Sequence, residues 1–207
     1  MAQAYEPTNI NIAYIGGGSM DFGWRFIGEL CNEPKLTGTV RLYDIEKKYA
    51  LANEVIASNC RELDSCRGQM VFFAVDSARE ALKDADFVVL SISCGTIEER
   101  MADLSVPEEY GIYQAAGDSA GPGGIMRAIR TVPEYIKYAN LIKEICPKAW
   151  VISLTEPMAI CIKTLYKTFP EIKAFGCSNE PRTANILLRD LAQRPQPTSE
   201  IKDYFIS

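Results

Sequence analysis

Gly16, Gly17, Gly18 and Ser19 directly follow a run rich in β-branched and aromatic residues, Ile10, Ile12, Tyr14 and Ile15. A strand that breaks into glycines makes a tight turn, and no Cβ keeps a ligand off its backbone. If a helix starts near Asp21, the amides of its first turn face that turn and suit an anion such as a pyrophosphate. Gly16 and Gly18 satisfy the first two positions of G-x-G-x-x-G, but the third falls on Asp21 and Gly23 comes late. The loop alone is therefore a weak signal. The next strand-like run, 39–44, ends on Asp44. That acid lies roughly 20 residues or a little more beyond the loop, where a ribose hydroxyl partner belongs. Loop and acid together point to NAD rather than NADP, with Gly16, Gly17, Gly18, Ser19 and Asp44 as cofactor contacts. The competing reading is an ordinary βα turn followed by an incidental surface acid.

Further along, Ser93 and Gly95 end a strand-like run, at the sheet edge where open α/β sheets bind ligands, and join the cofactor set. Residues 110–124 hold five glycines and a proline, a composition poor for a core and suited to close approach of a ligand or another backbone. Within that stretch Asp118 is either a substrate contact or an Asx-turn residue. Arg127 and Arg130, one helical turn apart, either salt-bridge at a surface or reach a ligand from the Gly-Pro-Gly-Gly helix start.

The elements that would position these groups alternate. Strands are expected at 9–15, 39–44, 70–75, 85–92, 147–157 and 172–177, with another strand-like run at 201–206. Helices are expected at 22–31, 45–61, 77–82, 125–145, 157–169 and 180–192, and a loop at 32–38. Leu51, Val55 and Ile56 would face inward on the second helix, and Asp76 or Ser77 would cap the third. Such alternation argues for a parallel sheet covered on both faces.

The chain has 207 residues, 47% hydrophobic and 24% charged, with a net charge of −5. This suits one soluble domain and leaves no basic footprint for nucleic acid. Apolar runs are too short to span a bilayer. The first six residues lack the regions of a signal peptide, so the cytoplasm is the expected location. Seven cysteines (31, 60, 66, 94, 146, 161 and 177) form no C-x-x-C pair. They are expected to be mostly buried fillers, without a disulfide framework or a structural zinc site. There is no histidine, which removes Ser–His and Cys–His nucleophile pairs.

Taken in order, Gly-Gly-Gly-Ser19, Tyr43-Asp44, Gly111-Ile-Tyr-Gln with Gly117-Asp-x-x-Gly-Pro-Gly-Gly124, Arg127, Arg130, Trp150-Val-Ile-x-x-Thr-x-Pro-Met158 and Phe175-Gly-Cys177 resemble glycoside hydrolase family 4. The likeness is closest to its α-galactosidase, α-glucosidase and α-galacturonidase branch. It implies an α/β fold, a Rossmann-like doubly wound sheet with helices on both faces. It also implies an NAD- and Mn2+-dependent glycosidase acting on a small-molecule glycoside by transient oxidation at sugar C3 and elimination. Residues 1–207 would be the NAD-binding domain, with 192–207 starting the connection to the family's C-terminal domain. The full-length family chain would be a homo-oligomer.

Departures from the family pattern bear on the site. Glu156 stands where members carry an Asn that contacts sugar hydroxyls, and Ser178 and Asn179 stand where members carry Cys and His. The substrate set implied is Asp118, Glu156 and Asn179. The metal position is Ser178, or Cys177 in a register shifted by one. The family's second metal ligand and its Tyr base belong beyond Ser207, so no catalytic residue is assigned. The expectation is a chain that binds NAD but, truncated or degenerate, is inactive alone. The alternatives are a 2-hydroxy-acid dehydrogenase of the malate and lactate type and a non-catalytic NAD-binding module.

Overall fold

The structure is a computed structural model that describes residues 6–114 and 121–178. The chain divides into two units, Met1–Gly176 and Cys177–Ser207. All the elements below belong to the first; of the second, only Cys177 and Ser178 are described. The elements run β1 (Thr8–Ile15), α1 (Phe22–Asn32), β2 (Leu36–Tyr43), α2 (Lys47–Arg61), β3 (Gln69–Ala74), α3 (Ala78–Leu82) and β4 (Phe87–Leu90). They continue as α4 (Ile97–Glu108), α5 (Gly121–Ile145), β5 (Trp150–Ser153), α6 (Met158–Thr168) and β6 (Lys173–Gly176).

The six strands lie in the order β3-β2-β1-β4-β5-β6 and pair in parallel throughout. The chain works outward from β1 to β3, then restarts on the other side of β1 with β4. That reversal is the switch point at which doubly wound sheets bind ligands beyond their carboxyl ends. The central strand is buried on both faces, and its side chains alternate between them. Ile12 and Tyr14 pack with Val40, Leu42, Met70 and Phe72 and with Ile27, Leu30, Ala50 and Ala57 of α1 and α2. Ala13 and Ile15 pack on the opposite face with Val88, Leu90 and Val151 and with Leu82, Tyr135, Ile142 and Leu165 of α3, α5 and α6.

Four expectations need correction. β2 begins at Leu36 rather than Thr39, because Thr8 to Ile10 of β1 already pair with Leu36 to Gly38. Gly38 extends the strand at φ +120, with the Ile10 carbonyl where a Cβ would stand. α2 is phased differently from its large aliphatics: Leu51 and Val55 are 44% and 58% exposed, and the buried face is Ala50, Asn53 and Ala57. Small side chains let this helix lie close to its neighbours. Helix α4 was not anticipated, because among its residues only Pro107 is buried and apolar periodicity is absent. Its start is nonetheless legible, since Thr96 and Glu99 form a capping box. Finally, α5 begins at Gly121 rather than Ile125. Gly121 has φ +72 and Gly123 donates its N–H to Gln114 Oε1 at 3.1 Å, so this end of the glycine-rich stretch is a helix start.

The expected helix at 180–192 and the strand-like run at 201–206 lie outside the described residues. Of the cysteines, Cys31, Cys146 and Cys161 are buried, Cys60, Cys66 and Cys94 are half-buried, and Cys177 is exposed, so fewer than expected are core fillers. No helix among the described residues is long and apolar enough to cross a membrane.

Candidate functional site

The carboxyl ends of β1, β2, β4 and β5 bring the candidate residues to one edge of the sheet. β1 ends at Ile15, and Gly16 turns at φ +87. Across the switch point, the Ser91 carbonyl beyond β4 lies 1.9 Å from where a Gly16 Cβ would stand, a contact only glycine permits. Gly17 is similarly pressed against Leu42, and Gly18 against Tyr49 and the Asp44 carboxylate.

The loop amides are engaged within the fold. Gly16 and Gly17 both donate to the Tyr43 carbonyl at 2.9 Å, and Ser19 donates to the Gly16 carbonyl at 3.1 Å. Gly18 donates to Asp44 Oδ2 at 3.0 Å. These residues therefore shape the turn, and the donors left for an anion are those of α1. The first turn of a helix has no carbonyl below it to bond, and the N-cap residue Asp21 adds no side-chain cap. The Asp21 carboxylate turns back instead to Arg25 Nε at 2.8 Å.

Asp44 accepts from Gly18 on one oxygen and from the Glu46 amide, at 3.0 Å, on the other. An ionised carboxylate oxygen has a second lone-pair site, so both can also accept a ribose hydroxyl. A 2′-phosphate would meet the negative charge.

Sequence reasoning missed Asn53. It is 2% exposed at the centre of the buried face of α2. Its Nδ2 donates to the Gly17 carbonyl at 2.8 Å and to the Ser19 carbonyl at 3.0 Å. Its Oδ1 accepts the Trp24 indole N–H at 2.9 Å. One buried amide thus holds both sides of the glycine turn and the first turn of α1. Gly23 leaves room for it, since a Cβ there would lie 3.0 Å from Asn53 Nδ2. The available signal was a polar residue among small ones at helical spacing, Ala50, Asn53 and Ala57.

Ser93 and Gly95 follow β4 in exposed positions. Gly95 has φ +98 and sits against Arg130 and Glu99. Arg130 is committed elsewhere: its guanidinium pairs with both oxygens of Asp103, tying α5 to α4 with both side chains largely buried. The Cys94 thiol is pushed up by burial and moderated by a hydrogen bond to Thr131. Beyond β5, Thr155 Oγ1 accepts the Ile92 amide at 3.0 Å, joining the ends of β4 and β5. Glu156 Oε2 accepts the Met158 amide at 2.8 Å, at the start of α6. Glu156 thus shares the sheet edge with the candidate cofactor residues and satisfies a helix N-terminus. Asp118 and Asn179 lie outside the described residues. Cys177 and Ser178 follow β6 and are exposed.

A dinucleotide fits this edge: the turn is closed to side chains, α1 presents its first-turn amides, and Asp44 is poised for a ribose. A divalent metal does not fit the residues described. No group of three His, Cys, Asp or Glu that could hold one occurs among them. At the position implied by the resemblance, Ser178 offers a neutral hydroxyl, a much poorer ligand than a thiolate. A hollow of about 410 Å³ lined by Asp84, Asp86, Cys146 and Lys148 lies at the opposite, amino-terminal edge of the sheet and holds none of the candidate residues.

Strand order and loop geometry define a Rossmann-like, doubly wound domain. Comparison with known proteins then gives the family. The model of the family 4 glycosyl hydrolases matches residues 11–193, and the chain belongs to that family. It is 51% identical over 188 residues to an alpha-galacturonidase of Thermoanaerobacter italicus, covering 91% of this chain and 40% of that protein. A Bacillus subtilis protein solved under the name glucosidase superposes with TM-score 0.82 at 40% identity, covering 90% of this chain and 42% of the other. A 6-phospho-alpha-glucosidase from gut microorganisms, solved with NAD and Mn2+, shares the fold at TM-score 0.76 and 19% identity, covering 91% and 42%. The chain spans about two fifths of the length of these relatives. Family membership favours the glycosidase reading over the dehydrogenase alternative, with which the chain shares the fold alone.

Proposed function

We propose that this chain is the NAD-binding part of a family 4 glycosidase that acts on α-linked galacturonides. The observation that carries the reading is the glycine turn, closed by Ser91, Leu42 and Tyr49 and held by Asp44 and Asn53 beside the first-turn amides of α1. The substrate class follows from the relative with 51% identity. NAD bound at this edge would supply hydride-acceptor and hydride-donor chemistry for the sugar. The first-turn amides of α1 hold the pyrophosphate, and Asp44 holds the adenosine ribose. Gly16, Gly17, Gly18 and Ser19 shape the cradle, with Ser93 and Gly95 flanking the cofactor. Asp118, Glu156 and Asn179 are proposed substrate contacts. No step is assigned to a metal at Cys177 or Ser178.

Residues 1–207 act as the nucleotide-binding domain, with 192–207 beginning the connection to the remainder of a family chain. The full-length protein works in the cytoplasm as a homo-oligomer, and this stretch alone does not turn over glycosides. Two measurements test the reading. NAD+ at about a hundred times its dissociation constant should raise the melting temperature by roughly 5–10 °C; no shift at millimolar NAD+ refutes cofactor binding. Release of p-nitrophenol from its α-galacturonide, assayed with NAD+ and Mn2+, should be absent for this chain; robust turnover refutes the inactivity.

A further inference from the structure

Three of the seven cysteines come together far from the cofactor edge. Cys31 is the penultimate residue of α1 and is 7% exposed. Cys60 lies one residue before the end of α2, and Cys66 lies in the connection from α2 to β3; both are half-buried against the same core face. The Cys31 carbonyl draws the connection in, accepting from the Arg67 amide at 2.9 Å, the Gly68 amide at 2.8 Å and the Cys66 thiol at 3.2 Å. Gly68 permits this approach: a Cβ there would stand 1.9 Å from the Leu30 carbonyl. The Cys66 thiol thus lies against Cys31, whose own thiol has Cys66 and Cys60 as its electrostatic neighbours. Residues 61–65 and Arg67, around Cys66, are exposed, so a small molecule can reach it.

We propose that Cys31 and Cys66 form an oxidisable dithiol, a modification site for small-molecule disulfides of the glutathione class that closes to an intrachain disulfide between the end of α1 and the connection before β3. The Cys66 thiolate attacks one sulfur of the small disulfide, and the first small thiol leaves. Cys31 then gives its proton to solvent and attacks Cys66 Sγ, and the second small thiol leaves. One small disulfide is reduced to two thiols while two protein thiols become one disulfide. Burial holds the Cys31 thiol protonated, its pKa pushed up to about 11, so Cys66 is the thiol that attacks first and Cys31 the one that closes the pair. The site is independent of NAD binding.

The test treats the whole chain with oxidised glutathione under native conditions, quenches in acid, alkylates, digests and maps by mass spectrometry. The expected result is a peptide pair joining Cys31 to Cys66, lighter by two hydrogens than the reduced pair, with exposed Cys177 glutathionylated as a control for the oxidant. The pair should persist in Cys60→Ser and disappear in Cys66→Ser. Closing a loop over a separation of 35 residues should raise the melting temperature by roughly 5–10 °C. Three outcomes overturn the proposal: glutathione retained on Cys66 without closure, Cys31 joined to Cys60 instead, or an unmodified Cys66 while Cys177 reacts. The wild-type map decides among these even if a variant fails to fold.

Discussion

Replacing Asn53 with Asp removes the two hydrogen bonds donated to Gly17 and Ser19 and keeps the side-chain shape and the oxygen that accepts from Trp24. Each lost bond is worth about 1 kcal/mol net, and turning a buried acceptor toward two carbonyl oxygens adds to that, so destabilisation of ~2–4 kcal/mol is expected. Part of this loss should appear in cofactor binding, because the turn no longer holds α1 and Asp44 in register. If about 1.4 kcal/mol does, the NAD+ dissociation constant rises tenfold. The assay is calorimetric titration well below the melting temperature, beside Leu165→Ala. Leu165 lies in the core on the opposite face of the sheet, where truncation costs a similar ~2–5 kcal/mol. Leu165→Ala should lower the melting temperature and leave the NAD+ constant unchanged, whereas Asn53→Asp should shift both. If both variants melt early and bind NAD+ like the parent, Asn53 is a stability residue and the reasoning fails.

Gly16→Ala puts a Cβ against the Ser91 carbonyl at a positive φ and should abolish NAD+ binding with a clear loss of melting temperature; a folded variant with parental affinity would contradict this. Asp44→Ala should weaken NAD+ at least tenfold and narrow the preference over NADP+, read by titrating both. Stability should also respond to alkaline pH. Burial pushes the Cys146 and Cys161 thiols from 9.0 to about 11 and about 12. In the unfolded chain they ionise first, so their contribution is full below pH 9 and lost as pH climbs toward 11 and 12. Melting temperature measured from pH 7 to 11 should fall above 9, less steeply in Cys161→Ala; an unchanged slope in that variant would show that Cys161 does not couple to folding.

Sequence patterning reached furthest where one physical demand dominates. A run buried on both faces and broken by glycines can do little else than start a doubly wound sheet, and β1, the turn and Asp44 fell where expected. Phase was harder to read for α2, because Leu51 and Val55 are its most apolar residues and face solvent, while close packing selects Ala50 and Ala57. Asn53 was hidden by the same error of phase, since its role depends on carbonyls 34 and 36 residues away. α4 buries so little that periodicity could not reveal it, and only its capping box could. Arg130 was as well placed for a ligand as for a salt bridge, and which it makes depends on Asp103, 27 residues away.

The central claim is that this edge of the sheet holds NAD. Calorimetric titration of the purified chain with NAD+, and in parallel with NADP+, tests it most directly. One NAD+ per chain with clear preference over NADP+ is the predicted result. No heat from NAD+ at millimolar concentration, or tighter binding of NADP+, would contradict the account.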